Sequence, residues 1–282
     1  MNVLSLFNGM STGHTALENV GIKVNKYYSS EIKPAAIKLT QHHYPDTIQL
    51  GDVEKWKEWD INWKEIDMVL SGSPCQDLSA AGKRVGVYGS RSSLFFVFVD
   101  ILNHIKELNP DVLFLQENVG SATKKDIGIM SRSLGVYPAR INSSLVTAQL
   151  RDRYYWSSIK THREGLFGDI TTDIPLPEDK KIMLKDIITS GSDDKDKHSS
   201  LNTGSGSYCN QNSLIHRNNT TGMITLINED DKVRTVNKVE MCRLQGFPDD
   251  WCDILTRVEA GSLLGDGWTL PIIEHIFSYI KR

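Results

Sequence analysis

The chain has 282 residues, a formal charge of −3, and is 39% hydrophobic and 24% charged. That is enough for one large domain or two modest ones with a real core, and it excludes disordered and fibrous classes. No apolar run approaches the ~20 residues of a membrane helix, and MNVLSLFNGM has neither the basic start nor the cleavage site of a signal peptide. Four Cys without framework spacing point to a reducing compartment, so the sequons at Asn142 and Asn219 carry no weight.

The first ~120 residues alternate short β-rich runs with helical patterns, which implies βαβ units and a doubly wound, mostly parallel α/β sheet. The expected strands are Val3–Phe7, Val24–Ser30, Thr47–Leu50, Ile66–Ser71 and Val112–Gln116, with helices over Gly13–Val20, Pro34–His43 and Ser93–Leu108. A further run, Leu145–Ala148, precedes a polar-aromatic stretch ending at Trp156. Thr189–Ser207 is rich in Ser, Gly, Asp and Lys and reads as a mobile loop unable to pack a core. Thr235–Gln245 reads as a helix stopped by Gly246 and Pro248, and Leu270–Lys281 as an amphipathic helix. Charge is uneven: Lys124–Arg163 holds eight Lys/Arg against two Asp, and Glu164–His198 nine acidic residues against five Lys. A groove meeting phosphates at the first stretch and an ordinary solvated face both fit that contrast.

Ligands of open parallel sheets bind beyond the carboxyl ends of the strands. The first strand exits into Phe7-Asn8-Gly9-Met10-Ser11-Thr12-Gly13, where Gly9 and Gly13 permit close backbone approach. The second exits at Glu31, near the ~20-residue offset of an acid that accepts ribose hydroxyls. The third exits at Gly51-Asp52, a candidate partner for an adenine amino group. Together they describe a nucleoside-containing cofactor, either a nicotinamide dinucleotide or S-adenosylmethionine. The absence of G-x-G-x-x-G favours the latter. The fourth exits into Gly72-Ser73-Pro74-Cys75, a setting that suits a reachable thiol, whereas Cys209, Cys242 and Cys252 read as core or incidental. The fifth exits into Gln116-Glu117-Asn118-Val119, a carboxyl after an apolar run that needs a task or a partner. Gln149-Leu150-Arg151-Asp152-Arg153 sets two Arg on one side of an extended segment. No zinc spacing appears among the eight His.

These motifs, in order over nearly the whole chain, resemble the cytosine-C5 DNA methyltransferase family. The matching residues are Phe7-x-Gly9, Glu31, Gly51-Asp52, Ser73-Pro74-Cys75, Arg91-Ser92-x-Leu94-Phe95, Glu117-Asn118-Val119, Gln149-x-Arg151-x-Arg153, Arg243-Leu244-Gln245-Gly246-Phe247-Pro248 and Gly265-Asp266-Gly267-Trp268-Thr269-Leu270-Pro271. The Ser-Pro-Cys variant and the Trp of the last motif are most similar to the catalytic domain of animal de novo DNA methyltransferases. Asn8 stands where the family usually has Asp, and Asp266 where Asn or Arg is more common.

The resemblance implies a Rossmann-like S-adenosylmethionine-dependent methyltransferase fold. It implies methyl transfer to carbon 5 of cytosine in duplex DNA, with S-adenosylhomocysteine as product. Cys75 would be the nucleophile, with Glu117, Arg151 and Arg153 as further catalytic residues. Phe7, Gly9, Ser11, Thr12, Gly13, Glu31, Ile32, Asp52, Val53, Ser73, Pro74, Asp266, Gly267 and Trp268 would bind the cofactor. Residues 1–160 would form the catalytic and cofactor-binding domain, 161–232 a small target-recognition region containing the 189–207 loop, and 233–282 a return to the catalytic domain. The partner expected is duplex DNA, with no metal and no membrane, in the cytoplasm of a prokaryotic or virus-infected cell, or a nucleus. A homo-oligomer stays open. With the fold expected to start at Val3, no N-terminal regulatory domain is expected. The alternatives are a transfer-RNA methyltransferase built on the same motifs, an inactive accessory DNA-binding member of the family, and a nicotinamide oxidoreductase, which leaves Cys75 and Glu117 without a role.

Overall fold

The computed structural model describes residues 1–74, 94–165, 168–193, 195–207, 210–221 and 224–281. Its order is β1 (Asn2–Leu6), α1 (Thr12–Asn19), β2 (Lys26–Ser30), α2 (Pro34–His43), β3 (Ile48–Gln49), β4 (Met68–Ser71), α3 (Leu94–Leu108), β5 (Leu113–Val119), α4 (Lys124–Leu134), β6 (Ala139–Asn142), β7 (Asp152–Ser157), β8 (Thr161–Glu164), β9 (Asp169–Thr172), α5 (Gln211–Thr221), β10 (Ile227–Glu229), β11 (Lys232–Arg234), α6 (Lys238–Gln245), α7 (Arg257–Asp266) and α8 (Leu270–Phe277). Among the described residues no helix is long and apolar enough to cross a membrane.

The expected doubly wound sheet is present. Seven strands run in the order β3-β2-β1-β4-β5-β7-β6. The pairs β2–β3, β1–β2, β1–β4 and β4–β5 are parallel, and β5–β7 is antiparallel. The central strands are buried on both faces, as near-continuous apolar runs require. On α3 the buried positions Phe95, Phe98, Val99, Ile101, Leu102 and Ile105 recur at helical spacing and lie in the same core cluster as Leu4, Val69 and Phe114. Leu145–Ala148 is not a strand: a short 3-10 turn covers Ser143–Leu145, and the aromatic stretch after it is β7. The helix before Gly246 starts at Lys238 rather than Thr235, because Asn237 caps it in a reciprocal box with Glu240. Gly246 ends it at φ 81°.

The chain divides into two compact units, residues 1–141, 152–176 and 274–282 in one and 142–151 and 177–273 in the other. The division falls elsewhere than the sequence suggests. The β8–β9 hairpin belongs to the first unit, where Tyr137 bridges Thr171 beside β9. Helices α6 and α7 belong to the second. Thr189–Ser207 also departs from the reading as a loop that cannot pack. Leu201 is buried, and Gly206 and Asn202 lie against Gly261 and Gly265 of α7 so closely that a Cβ on either helical glycine would overlap backbone. Small residues on both sides replace apolar bulk as the packing device.

Gly13 is explained by the same geometry. A Cβ there would overlap Leu70 Cδ1 on β4, so this glycine serves the contact of α1 with the sheet. Gly13→Ala is expected to cost about 1–3 kcal/mol in urea unfolding, because Leu70 is fully buried and has no space to yield. Next to it His14 is stacked between Tyr27 and Tyr44, with ring centroids 4.4 and 3.9 Å away, and burial lowers its pKa to about 4. The unfolded chain takes up this proton near pH 6.5 and the folded chain only near 4, so acid favours unfolding in that window. The His14 contribution is complete above pH 6.5 and lost as pH falls towards 4. His14→Asn should therefore flatten the pH dependence of the unfolding midpoint between these values.

Candidate functional site

The exits of the parallel strands gather at one edge of the first unit. Beyond β1 the backbone turns through positive φ at Phe7, Gly9 and Ser11, at 56°, 58° and 59°. That turn is fixed by neutral hydrogen bonds. Asn8 Nδ2 donates to Ser11 Oγ and Thr40 Oγ1, and Asn8 Oδ1 accepts from the Tyr27 hydroxyl. An amide serves here as donor and acceptor together, which accounts for Asn at a position where the family usually has Asp.

Glu31 ties the turn to the exit of β2. Its Oε2 accepts from the Gly9 amide at 2.8 Å, and its Oε1 from the amides of Ile32 and Lys33. Three of about four lone-pair sites are used, which leaves acceptor capacity on Oε2. Ile32 beside it is 68% exposed, an apolar face without cover. At the exit of β3, Gly51 has φ 74° and open space where a Cβ would stand. Asp52 accepts from the Glu54 amide through one carboxylate oxygen. These residues fit a nucleoside: an acceptor for ribose hydroxyls, an apolar face and a bare backbone lie on three neighbouring exits. Thr12 and Val53, also expected at the cofactor, are buried at the start of α1 and just after Asp52.

At the exit of β4, Ser73 is buried and accepts from Gln116 Nε2 at 2.9 Å, with Pro74 following it. Cys75, the expected nucleophile, and Arg91-Ser92 lie outside the described residues, as does Cys209. On β5, Glu117 is 8% exposed, and Arg153 Nε meets its Oε1 at 2.8 Å. The register explains the contact. Val119 faces Arg153 and Glu117 faces Tyr155, so Glu117 and Arg153 are diagonal neighbours on one face of the antiparallel ladder.

Arg151, two residues earlier, is held differently. It belongs to the second unit and is 3% exposed. Its guanidinium donates to the carbonyl oxygens of Leu201, Gly265 and Gly267 and to Ser200 Oγ. Gln149 donates to the Leu244 carbonyl and accepts from the Leu201 amide, while Gln245 donates to the Gly267 carbonyl and accepts from the Thr269 hydroxyl. Of the residues expected at the cofactor, Asp266 closes α7 and Gly267 and Trp268 follow it in a loop braced by Arg151 and Gln245. Sequence reasoning quoted Gln245 and Thr269 within matching motifs but gave neither a role in the site. Cys242 and Cys252 are fully buried in this unit.

The basic stretch of residues 124–163 is not a uniform face. Arg140 pairs with Asp152, Arg153 with Glu117 and Lys160 with Asp173, and Arg151 is buried. The exposed Lys124 and Lys125 open α4. Among the described residues no cluster of three or more His, Cys, Asp or Glu could hold a metal ion.

A mostly parallel sheet with one antiparallel strand, a Gly-turn bound to an acid and a Glu–Arg pair at its edge defines a Rossmann-like methyltransferase fold. A model of the C-5 cytosine-specific DNA methylase family matches residues 1–226, and the chain belongs to that family. It is 30% identical to the type II methyltransferase M1.ScrFI of Lactococcus lactis subsp. cremoris, over 90% of this chain and 71% of that protein. It is 34% identical over 167 residues to the orphan methyltransferase M.Rho11sI of Bacillus phage rho11s, over 55% of this chain. The chain spans about a third of the length of M.Rho11sI and of the Neisseria gonorrhoeae type II methyltransferase M.NgoBV, 32% and 31%. Two solved structures share the fold across 99% of the chain: the Entamoeba histolytica methyltransferase EhMeth, covered over 97% of its length, at TM-score 0.69 and 15% identity, and the S. pombe Dnmt2 methyltransferase, covered over 98%, at 0.64 and 16%.

The two arginines should separate in a stability measurement. Arg151→Lys is expected to lower unfolding free energy by about 2–4 kcal/mol, since each buried acceptor left unpaired costs about 1–3. Arg153→Lys keeps a cation beside Glu117 and should shift the urea midpoint less than half as far.

Proposed function

We propose that the chain is a DNA (cytosine-5-)methyltransferase acting on duplex DNA through Cys75. The observation that carries this reading is the Glu117–Arg153 pair, at the sheet edge where the exit of β4 leads through Ser73 and Pro74 towards Cys75. The type II names of several relatives support a DNA substrate and a restriction–modification setting.

Carbon 5 of cytosine is too weak a nucleophile to be methylated unaided. The Cys75 thiolate adds to carbon 6, and the ring electrons make carbon 5 nucleophilic. Glu117 holds N3 and the exocyclic amine as charge accumulates on the ring. Arg153 orients Glu117 and offers its remaining donors to the base carbonyl. After transfer a base removes the carbon-5 proton, and Cys75 leaves as the double bond re-forms. The target base must leave the duplex stack, at a cost of a few kcal/mol. S-adenosylmethionine, when bound, supplies the methyl group. Phe7, Gly9, Ser11, Glu31, Ile32 and Asp52 are the residues that would hold its nucleoside part. Gly13 contributes through helix packing, and Arg151 acts by bracing Gly265 and Gly267 rather than by touching the base.

The test is transfer of labelled methyl groups from S-adenosylmethionine to unmethylated duplex DNA and to bulk transfer RNA in parallel. Label is expected on DNA and should fall to background with Cys75→Ser, while cofactor binding persists. Transfer that survives Cys75→Ser removes the nucleophile assignment, and label on RNA alone removes the DNA substrate.

A further inference from the structure

Much of the positive charge over 124–163 is taken up by ion pairs and backbone contacts, but the charge on α4 is not. This helix turns Met130 and Leu134 into the core and packs Ile127 and Ile129 against it. Its acid, Asp126, is buried and accepts from the Thr123 hydroxyl. At about 3.6 residues per turn, Lys124, Gly128, Arg132 and Lys125 fall within one outward sector of roughly 100°. The three cations are exposed and, among the described residues, none is in an ion pair. Arg132 Nη1 stands 3.4 Å from where a Cβ on Gly128 would be, so the guanidinium lies back over the bare helix.

The choices on this face cost the helix stability. Cations in a first turn oppose the helix dipole, and glycine in a helix interior is a poor helix former. Gly13, Gly261 and Gly265 answer tight packing, but Gly128 meets only the end of a flexible side chain, so nothing inside the protein requires it. No acid at helical spacing on this face relieves the like charges. Local rules broken together without a gain inside the molecule mark a functional surface. What this surface lacks is negative charge. It also stands in the right place, because only four residues separate the end of β5 from α4, at the edge where Glu117 meets Arg153.

We propose that the outward face of α4 holds the phosphodiester backbone of duplex DNA; the proposal rests on the methyltransferase reading given above. The phosphates supply the acid that the helix lacks, and Gly128 leaves the backbone open to their approach. Fluorescence anisotropy with a labelled, unmethylated duplex of mixed sequence, without cofactor and over a NaCl series, reads these contacts. Lys124→Gln/Lys125→Gln should make the slope of log affinity against log salt shallower by about 2, since each phosphate contact contributes about 0.9. Arg132→Gln should do so by about 1. Gly128→Glu places a carboxylate four residues from both Lys124 and Arg132. It should raise the urea midpoint and weaken duplex binding about tenfold at low salt, by less as salt rises. An ordinary solvated face would show the first change without the second.

Unchanged salt slopes, or a Gly128→Glu variant that binds duplex as the wild type does, would overturn the proposal. So would losses confined to bulk transfer RNA, which would make the face an RNA contact. A wild-type dimer that Gly128→Glu dissociates in sedimentation, with duplex affinity unchanged, would assign the face to a second copy of the chain. Absence of any duplex binding by the wild type overturns this proposal and the DNA reading together. If label reaches DNA through Cys75 while the slopes do not move, the function stands and the surface falls. If the surface behaves as stated while no methyl group is transferred, the function falls and the surface stands.

Discussion

A parallel sheet delivers every strand's polar exit to the same edge, and a side chain there has only its parallel neighbours to meet. One antiparallel strand changes this. Because β7 runs against β5, its first residues lie beside the last residues of β5, and Arg153 arrives opposite Val119, one diagonal step from Glu117. A carboxylate buried to 8% exposure at the dry end of a central strand is expensive without a partner, and the reversed strand supplies one. The Ser73–Gln116 bond and the Gly120–Asp152 contact both depend on the same alignment of β4, β5 and β7.

The second unit is organised by a different economy. Arg151, Gln149 and Gln245 spend nearly all their capacity on backbone carbonyls and amides of loops that have no ladder of their own. Such loops carry polar groups that must be satisfied once they are buried, and three long polar side chains do so where secondary structure cannot. The chain passes from this unit to the other between Arg151 and Asp152. Two arginines in one short motif therefore solve separate problems, bracing in one unit and charge pairing in the other.

Much of the sheet was legible because its strands are short apolar runs closed by glycine or polar exits, and α2 spans the residues expected, opened by Pro34. The offset from Gly9 to Glu31 proved to be a direct hydrogen bond. Features depending on partners far along the chain were not legible. Periodicity does not reveal that Gly13 answers Leu70, that Gly261 and Gly265 admit residues 202–206, or that Arg151 reaches Gly265 and Gly267. The basic run over 124–163 could not be resolved from sequence for a related reason: the acids that pair with its residues stand at Glu117, Asp152 and Asp173, and only folding brings them together. The β8–β9 hairpin lies in the first compact unit although composition shifts at residue 161, because Tyr137 bridges Thr171 of the hairpin.

Besides the Glu31 carboxylate on the Gly9 amide, the turn after β1 is held by hydrogen bonds among Asn8, Ser11, Tyr27 and Thr40, four side chains without net charge. Dissolved ions screen charges and leave such bonds almost untouched. Raised ionic strength therefore leaves these bonds in place while it loosens exposed ion pairs such as Arg140–Asp152 and Lys160–Asp173, so the interior of the turn and the surface charges respond differently to the same electrolyte.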